Sequence, residues 1–322
     1  MIEIRTLRLE EIEQWFDHCM YVFNNGEYSS GYRQYFMNHW YNDPWKDLDG
    51  ILIAVEDGKI LSTIRIFYRN IYILGEKVSM GGIGEVSTKP EYRGKGLSGS
   101  LLLAAVRKME EQNIKVSMLG ASLYGYYRKF GWEQCMMYSC VSDLGNQNEL
   151  AYKIRDVNLT TDLEAIKFIY SQYSSRYNGP IVRDNDAYWQ RWIETECKNF
   201  YVIENEHGEI VSYICVDVGN DYLEIKEFGA LPGCEDIFDS LAAHMAAVMG
   251  KTGCEVRYKG IAKTGLKPKR VEEEPYMMFR LVTPFNIKGV RIETTQQIID
   301  VVKGDNISTS HTDFLFWGAD GF

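Results

Sequence analysis

Residues Gly81 to Trp132 read GGIGEVSTKPEYRGKGLSGSLLLAAVRKMEEQNIKVSMLGASLYGYYRKFGW, and they hold the densest chemistry in the chain. An apolar strand runs into a glycine-rich turn carrying Arg93 and Lys95, and the turn opens a long helix with one apolar face. Such a turn presents backbone N–H groups without partners, and the helix dipole behind them favours an anion, above all a phosphate. Gly94 and Gly96 let the chain approach a pyrophosphate closely, amides from Gly94 to Gly99 can donate to it, and Arg93 and Lys95 add charge. A second strand (Ile114–Leu119) and a run of tyrosines follow, and a phenol that titrates near 10 can protonate a departing anion.

Two glycine-loop readings compete for this turn. Gly94 to Gly99 satisfies G-x-G-x-x-G literally, but Lys89–Arg93 separate the glycines from their strand. The acid that a dinucleotide site needs at the end of the next strand is also missing, because Leu119 runs into Gly120-Ala121-Ser122. A P-loop fails more simply, since no Gly-Lys-Ser/Thr follows four residues after a glycine.

The elements that position this stretch are legible around it. A short N-terminal strand (Ile2, Ile4) leads to a helix with apolar positions at Leu9, Ile12, Trp15, Phe16 and Cys19. After an aromatic segment from Tyr28 to Trp45 comes a hairpin turning at Asp57-Gly58. A separate strand at Asn70–Leu74 then turns at Gly75 into the strand ending at Thr88. The second half restarts the programme: YKIRD at Tyr152 echoes IEIRT at Ile2, a helix is expected from Asp162 to Tyr173, and a hairpin turns at His207-Gly208. A spacing this long indicates a duplicated domain rather than a solenoid. In place of the glycine turn the second copy has EFGALPGCEDIFDS, where Glu235, Asp236 and Asp239 put negative charge where a phosphate would sit. A strand at Met277–Val282, a helix at Thr294–Val302 and an aromatic tail (Phe314, Phe316, Trp317, Phe322) close the chain, and the tail is expected to dock.

At 322 residues two domains are expected, and 45% hydrophobic with 25% charged residues is an ordinary globular balance. No apolar run is long enough for a bilayer and the N-terminus is too charged for a secretion signal, so a cytoplasmic protein without membrane partners is expected. The seven cysteines are scattered without a CxxC pair, and the five histidines have no HExxH spacing, so neither a disulfide frame nor a metal is expected. A net charge of −10 argues against nucleic-acid partners; it can steer a cationic substrate or simply keep the protein soluble.

The segment from Val86 through Arg93-Gly-Lys-Gly96-Leu97-Ser98, followed by Tyr127-Arg-Lys-Phe130-Gly131-Trp132, resembles the GNAT acetyltransferase superfamily. There the first piece is motif A and the second a Tyr-x-x-Phe-Gly-aromatic segment; Ser98 in the last small-residue place is a mild departure. The wording, together with a degenerate second copy, is closest to the enhanced-intracellular-survival (Eis) group of tandem enzymes. The resemblance implies an α+β (mixed α/β) fold of tandem GNAT-type domains. Each domain would be a mostly antiparallel mixed sheet flanked by helices, with a short C-terminal extension. The implied divisions are a catalytic domain at 1–148, a degenerate copy at 149–282 and an extension at 283–322 whose tail docks near the active site.

It further implies acetyl-CoA as acyl donor, held by Val86, Ser87, Thr88, Arg93, Gly94, Lys95, Gly96, Leu97, Ser98, Gly99 and Ser122. Tyr127 would be the general acid, and the terminal carboxylate of Phe322 would match the base of the Eis group. Glu85 is equally a structural carboxylate or a base, because period-two alternation points it away from the face of Val86. The reaction implied is acetyl transfer to a primary amine of a small cationic molecule, aminoglycoside- or polyamine-like. Alternatives are a protein lysine or N-terminal amine, or a CoA-binding module without activity; a homo-oligomer is left open. The aromatics between Tyr28 and Trp45 could line the acceptor pocket, with Glu27, Asp43 and Asp47 holding a cation.

Overall fold

The computed structural model describes residues 1–144, 152–219, 222–251, 253–259, 265–304 and 313–321. The first half contains β1 (Glu3–Thr6), α1 (Ile12–Phe23), α2 (Ser30–Tyr41), β2 (Ile51–Glu56), β3 (Lys59–Ile73), β4 (Glu76–Thr88), α3 (Leu97–Glu111), β5 (Val116–Gly120), α4 (Tyr124–Arg128), β6 (Glu133–Gln134) and β7 (Met137–Asp143). The second contains β8 (Lys153–Asp156), α5 (Leu163–Ser174), α6 (Glu194–Glu196), β9 (Asn199–Glu204), β10 (Ile210–Val218), β11 (Tyr222–Ala230), α7 (Phe238–Val248), β12 (Glu255–Lys259), β13 (Arg270–Glu274) and β14 (Met277–Leu281). A small hairpin, β15 (Phe285–Ile287) and β16 (Val290–Ile292), and α8 (Thr295–Lys303) follow.

Local chemistry sets the turns. Asp57 and Gly58 both take positive φ (49° and 73°), as a two-residue hairpin turn requires, and Leu74 and Gly75 do the same (51° and 78°). Between them β3 runs unbroken for 15 residues, so the separate strand expected at Asn70–Leu74 is the far end of β3. Helix α8 starts with a capping box between Thr294 and Gln297. The segment DNDAYWQRWI forms a π-helical turn at Tyr188–Ile193 that buries Tyr188, Trp189, Trp192 and Ile193.

The two halves build two seven-stranded, mostly antiparallel sheets with matching orders, β1-β2-β3-β4-β5-β14-β6 and β8-β9-β10-β11-β12-β7-β13. In each sheet the sole parallel pair is the one bridged by a helix, β4–α3–β5 and β11–α7–β12. The repeat extends to the ion pair that braces its first strand: Arg5 grips Glu11 at 2.7 and 2.6 Å, and Arg155 grips Asp162 at 2.6 and 3.0 Å.

The sixth position of each sheet is filled from the other half. Strand β14 lies between β5 and β6, and β7 lies between β12 and β13. The crossing is a continuous antiparallel ribbon in which Glu133 and Gln134 face Phe279 and Met278, and Met137 to Val141 face Glu274 to Arg270. Neither sheet is therefore made from one stretch of chain, and the strands exchange across the 148/149 division expected from the sequence. The tail packs Leu315, Trp317 and Ala319 into the second unit's core, where Asp320 meets Arg183 at 2.9 Å. Gly179 (φ 112°) leaves no room for a Cβ against Leu315 O and the Phe314 ring.

Asn178 ties these pieces together. Its Oδ1 accepts from Leu74 N at 2.7 Å, and its Nδ2 donates to Val301 O and Val302 O, both at 3.1 Å. Asn178→Ala removes three side-chain hydrogen bonds at a buried site. It is expected to lower unfolding free energy by about 2–4 kcal/mol, read as a reduced urea midpoint.

Candidate active site

Strands β4 and β5 are hydrogen-bonded only at Met80–Gly82 against Val116–Met118, and beyond that they diverge. The divergence opens a wedge whose edges are Gly84–Thr88 on one side and Leu119–Gly120 on the other. On its opposite edge β4 carries a bulge. Thr63 faces Ser87 and Arg65 faces Gly84, which leaves Glu85 and Val86 opposite the single residue Ile64. Glu85 has φ 54°, a left-handed conformation costing a non-glycine residue about 1–2 kcal/mol. The bulge also breaks strict alternation, so Glu85 and Val86 line one pocket, contrary to the period-two expectation for this pair.

Two cavities meet there. One, of about 450 Å³, is lined by Val86, Ser87, Thr88, Arg93, Ser98 and Tyr127 with Phe23, Leu123 and Tyr126. Its floor is the start of α3, where Gly94 and Gly96 both have φ 77° and the first i→i−4 bond is Ser100 N to Gly96 O. The amides of Leu97, Ser98 and Gly99 thus precede the helical ladder and are available to an anion. Gly99 is also sterically fixed, since a Cβ there would lie 2.9 Å from the Phe130 ring. Arg93 Nε donates to Thr88 O at 3.3 Å, and Lys95 Nζ lies 4.5 Å from the centre of the Tyr92 ring. Leu97 is buried under the helix. Ser122 is exposed on the β5–α4 loop and is not among the residues lining this cleft.

The second cavity, of about 410 Å³, shares Phe23, Val86 and Tyr127 with the first and adds Tyr32, Tyr35, Phe36, His39 and Glu85. Glu85 is buried, with Oε1 3.4 Å from Arg65 Nη1 and Oε2 without a hydrogen-bond partner among the described residues. Burial raises its carboxyl to about 7 against the pull of Arg65. Burial likewise pushes the Tyr127 phenol up to about 12, which keeps it protonated, and lowers His39 to about 4, which keeps it neutral. Arg65 is shared: its Nη2 donates to Asp43 Oδ2 at 2.7 Å, and Arg69 reaches the same oxygen at 2.9 Å. Asp43 is therefore spent on two guanidiniums, while Glu27 and Asp47 are exposed outside the pocket lining, so none of the three acids expected to hold a cation lines it.

Of the aromatics between Tyr28 and Trp45, Tyr32, Tyr35 and Phe36 line this pocket. Phe23 lay outside that segment, and Glu85 was undecided because a bulge leaves no mark in a hydropathy pattern. The second half contributes too. Arg280 of β14 donates to Phe130 O, fixing the turn that follows Tyr127, and Trp192 lies 4.8 Å from the His39 ring. Ala319 O accepts from Trp192 Nε1 at 3.2 Å, which brings the tail within two side chains of the pocket. Phe322 lies outside the described residues.

The second copy shows what the arrangement looks like when closed. Glu235 Oε2 accepts from Gly233 N at 2.8 Å, and Arg176 holds its other oxygen at 2.7 Å, so the turn's anion place is filled by its own carboxylate. Glu227 flanks the register shift of β11, paired with Cys215, and Arg183 grips both its oxygens at 2.8 and 2.6 Å.

The diverging strands, the bulge and the glycine turn before α3 border two cavities that meet at Val86 and Tyr127. Residues 3–135 match the acetyltransferase (GNAT) domain family. Among curated proteins nothing matches the chain. Among solved structures, a conserved protein of unknown function from Enterococcus faecalis V583 is 20% identical with TM-score 0.69, covering 88% of this chain and 72% of the other. A GCN5-related N-acetyltransferase from Anabaena variabilis is 19% identical with TM-score 0.68 (88% and 73%). Eis1 from Mycobacterium abscessus is 14% identical with TM-score 0.57 (88% and 74%). These likenesses extend over both sheets and establish the tandem fold. No helix among the described residues is long and apolar enough to cross a membrane, and no group of three or more metal-ligating side chains occurs among them.

The raised Glu85 carboxyl makes stability depend on pH with a definite sign. Its folded value, about 7, exceeds its ordinary 4.5, so its contribution is complete below about 4.5 and is lost as pH rises through 7. Relative to Glu85→Gln, the wild type is expected to lose roughly 3 kcal/mol of unfolding free energy across that interval, measured by urea titration at pH 4.5 and 7.5.

Proposed function

We propose that this protein transfers an acetyl group from acetyl-CoA to the primary amine of a small molecule, with Glu85 as base and Tyr127 as acid. The observation that carries the reading is the buried, half-partnered Glu85 in a pocket that joins the glycine-turn cleft at Val86 and Tyr127. The residues present fit the donor: amides of Gly94 to Gly99 with Arg93 and Lys95 suit a pyrophosphate, and the wedge at Val86–Thr88 suits an extended arm.

Acetyl-CoA, when bound, supplies the activated thioester. Glu85 takes a proton from the incoming ammonium, directly or through a water, which frees the nitrogen lone pair. The amine nitrogen bonds to the carbonyl carbon and the carbon–sulfur bond breaks. Tyr127 gives its proton to the departing sulfur and is restored by the proton that leaves the new amide nitrogen. The base role falls to Glu85 rather than to the carboxylate of Phe322 because Glu85 already faces the pocket. The tandem architecture shared with Eis1 supports an Eis-like placement of the active unit, with the second unit as scaffold.

Thiol release from acetyl-CoA with an amine panel tests the reading, and acetyl-CoA binding without release for every amine overturns it. Glu85→Gln is expected to lower kcat/KM at least about 100-fold, and Tyr127→Phe to lower kcat with little change in CoA affinity. A chain lacking Phe322 should keep its rate. The kcat/KM profile should rise with pH through an inflection near 7, as the base ionises.

A further inference from the structure

Beyond amine acetylation itself, the walls of the second cavity bear on which amine enters. We infer that the acceptor is an arylalkyl monoamine, one ammonium on a flat apolar body, rather than a polycation such as a polyamine or an aminoglycoside. The inference rests on the transferase reading and narrows its acceptor.

Charge is the first argument. Among the described residues, Glu85 is the one acidic side chain lining this pocket. Behind it, Asp43 is taken up by Arg65 and Arg69, so the cluster adds no further free negative charge to the pocket. Among the other titratable groups of the wall, burial holds His39 and Tyr127 uncharged, and Tyr32 and Tyr35 are phenols. Glu196, from the second half, comes no nearer than 4.0 Å to His39 Nε2 and is outside the lining. One carboxylate can meet one ammonium. A second or third ammonium would lose its water among rings with no counter-charge, and the ring faces recover only part of that loss.

Shape is the second argument. The wall opposite Glu85 is aromatic: Phe23, Tyr32, Tyr35 and Phe36 from α1 and α2, with Tyr127 from α4. The packing of Tyr35 on His39, with ring centres 3.9 Å apart, and of Phe23 on Phe36 at 5.3 Å makes these faces continuous. Phe23, Tyr32 and Tyr35 still leave 42, 46 and 51% of their surface to water, an arrangement that favours an apolar occupant over an empty pocket. The volume of about 410 Å³ lies at the small end of ligand cavities. A flat ring stacked on this wall would carry an amine on a two-carbon arm toward Glu85 Oε2, the oxygen that has no partner among the described residues.

The test is thiol release from acetyl-CoA by the full chain with 2-phenylethylamine, tryptamine, spermidine and kanamycin. The expected result is a kcat/KM for at least one arylalkylamine that is tenfold or more above both polycations. Equal or better turnover of spermidine or kanamycin overturns the inference and leaves the transferase reading standing. No release with any amine overturns both. A second arm uses Tyr32→Glu, an exposed position on α2 whose variant can be checked for folding by acetyl-CoA binding. A second carboxylate on the wall should raise the spermidine-to-phenylethylamine ratio of kcat/KM about tenfold. An unchanged ratio overturns the charge argument.

Discussion

One carboxylate oxygen shared by two buried guanidiniums holds this structure together at its most consequential point. Asp43 Oδ2 receives Arg65 at 2.7 Å and Arg69 at 2.9 Å, and Arg65 passes the remainder of its charge to Glu85. Arg65 lies over Phe67 and Trp40, while Arg69 sits 4.7 Å from Trp45 and 5.9 Å from Trp192. The cluster joins the loop after α2, the middle of β3, the bulge of β4 and the π-helical turn of the second half. Removing one partner from such a group strands a charge away from water, which typically costs about 3–5 kcal/mol. The same neutrality keeps Glu85 basic, because Asp43 absorbs positive charge that would otherwise fall on it.

The second unit is thus more than ballast. Its last strand completes the first sheet beside β5, and Arg280 on that strand clamps the turn after Tyr127. Its Trp192 backs His39 in the wall of the second cavity and anchors the tail at Ala319. Meanwhile its own turn is blocked by Glu235, and Glu227 is gripped by Arg183. A duplication in which one copy closes its turn and lends strands and side chains to the other accounts for a first half that is structurally inseparable from its partner.

Much of the site was readable from residue types alone. The glycine turn, Arg93, Ser98 and the Tyr127 segment lie where their spacing placed them, because a strand–turn–helix unit is short-range and its backbone demands specific residues. Asp57-Gly58 and the capping box at Thr294 are readable for the same reason. What escaped was long-range. The continuous β3, the exchange of β7 and β14, and the pairing of Asp43 with Arg65 and Arg69 each join residues far apart in sequence. The bulge at Glu85 escaped for a different reason, since it depends on two residues facing one across a strand pair. That single insertion turned an ambiguous carboxylate toward the pocket.

The sequence by itself determined the glycine turn before α3, the duplicated order of elements and the loss of that turn in the second copy. Each rests on local backbone geometry or on charge placed at a helix start. Only the tertiary structure decided which carboxylate faces the second cavity, which acids are neutralised and which rings line that cavity. Those outcomes depend on burial and on pairing between distant segments, and neither is encoded at any one position of the chain.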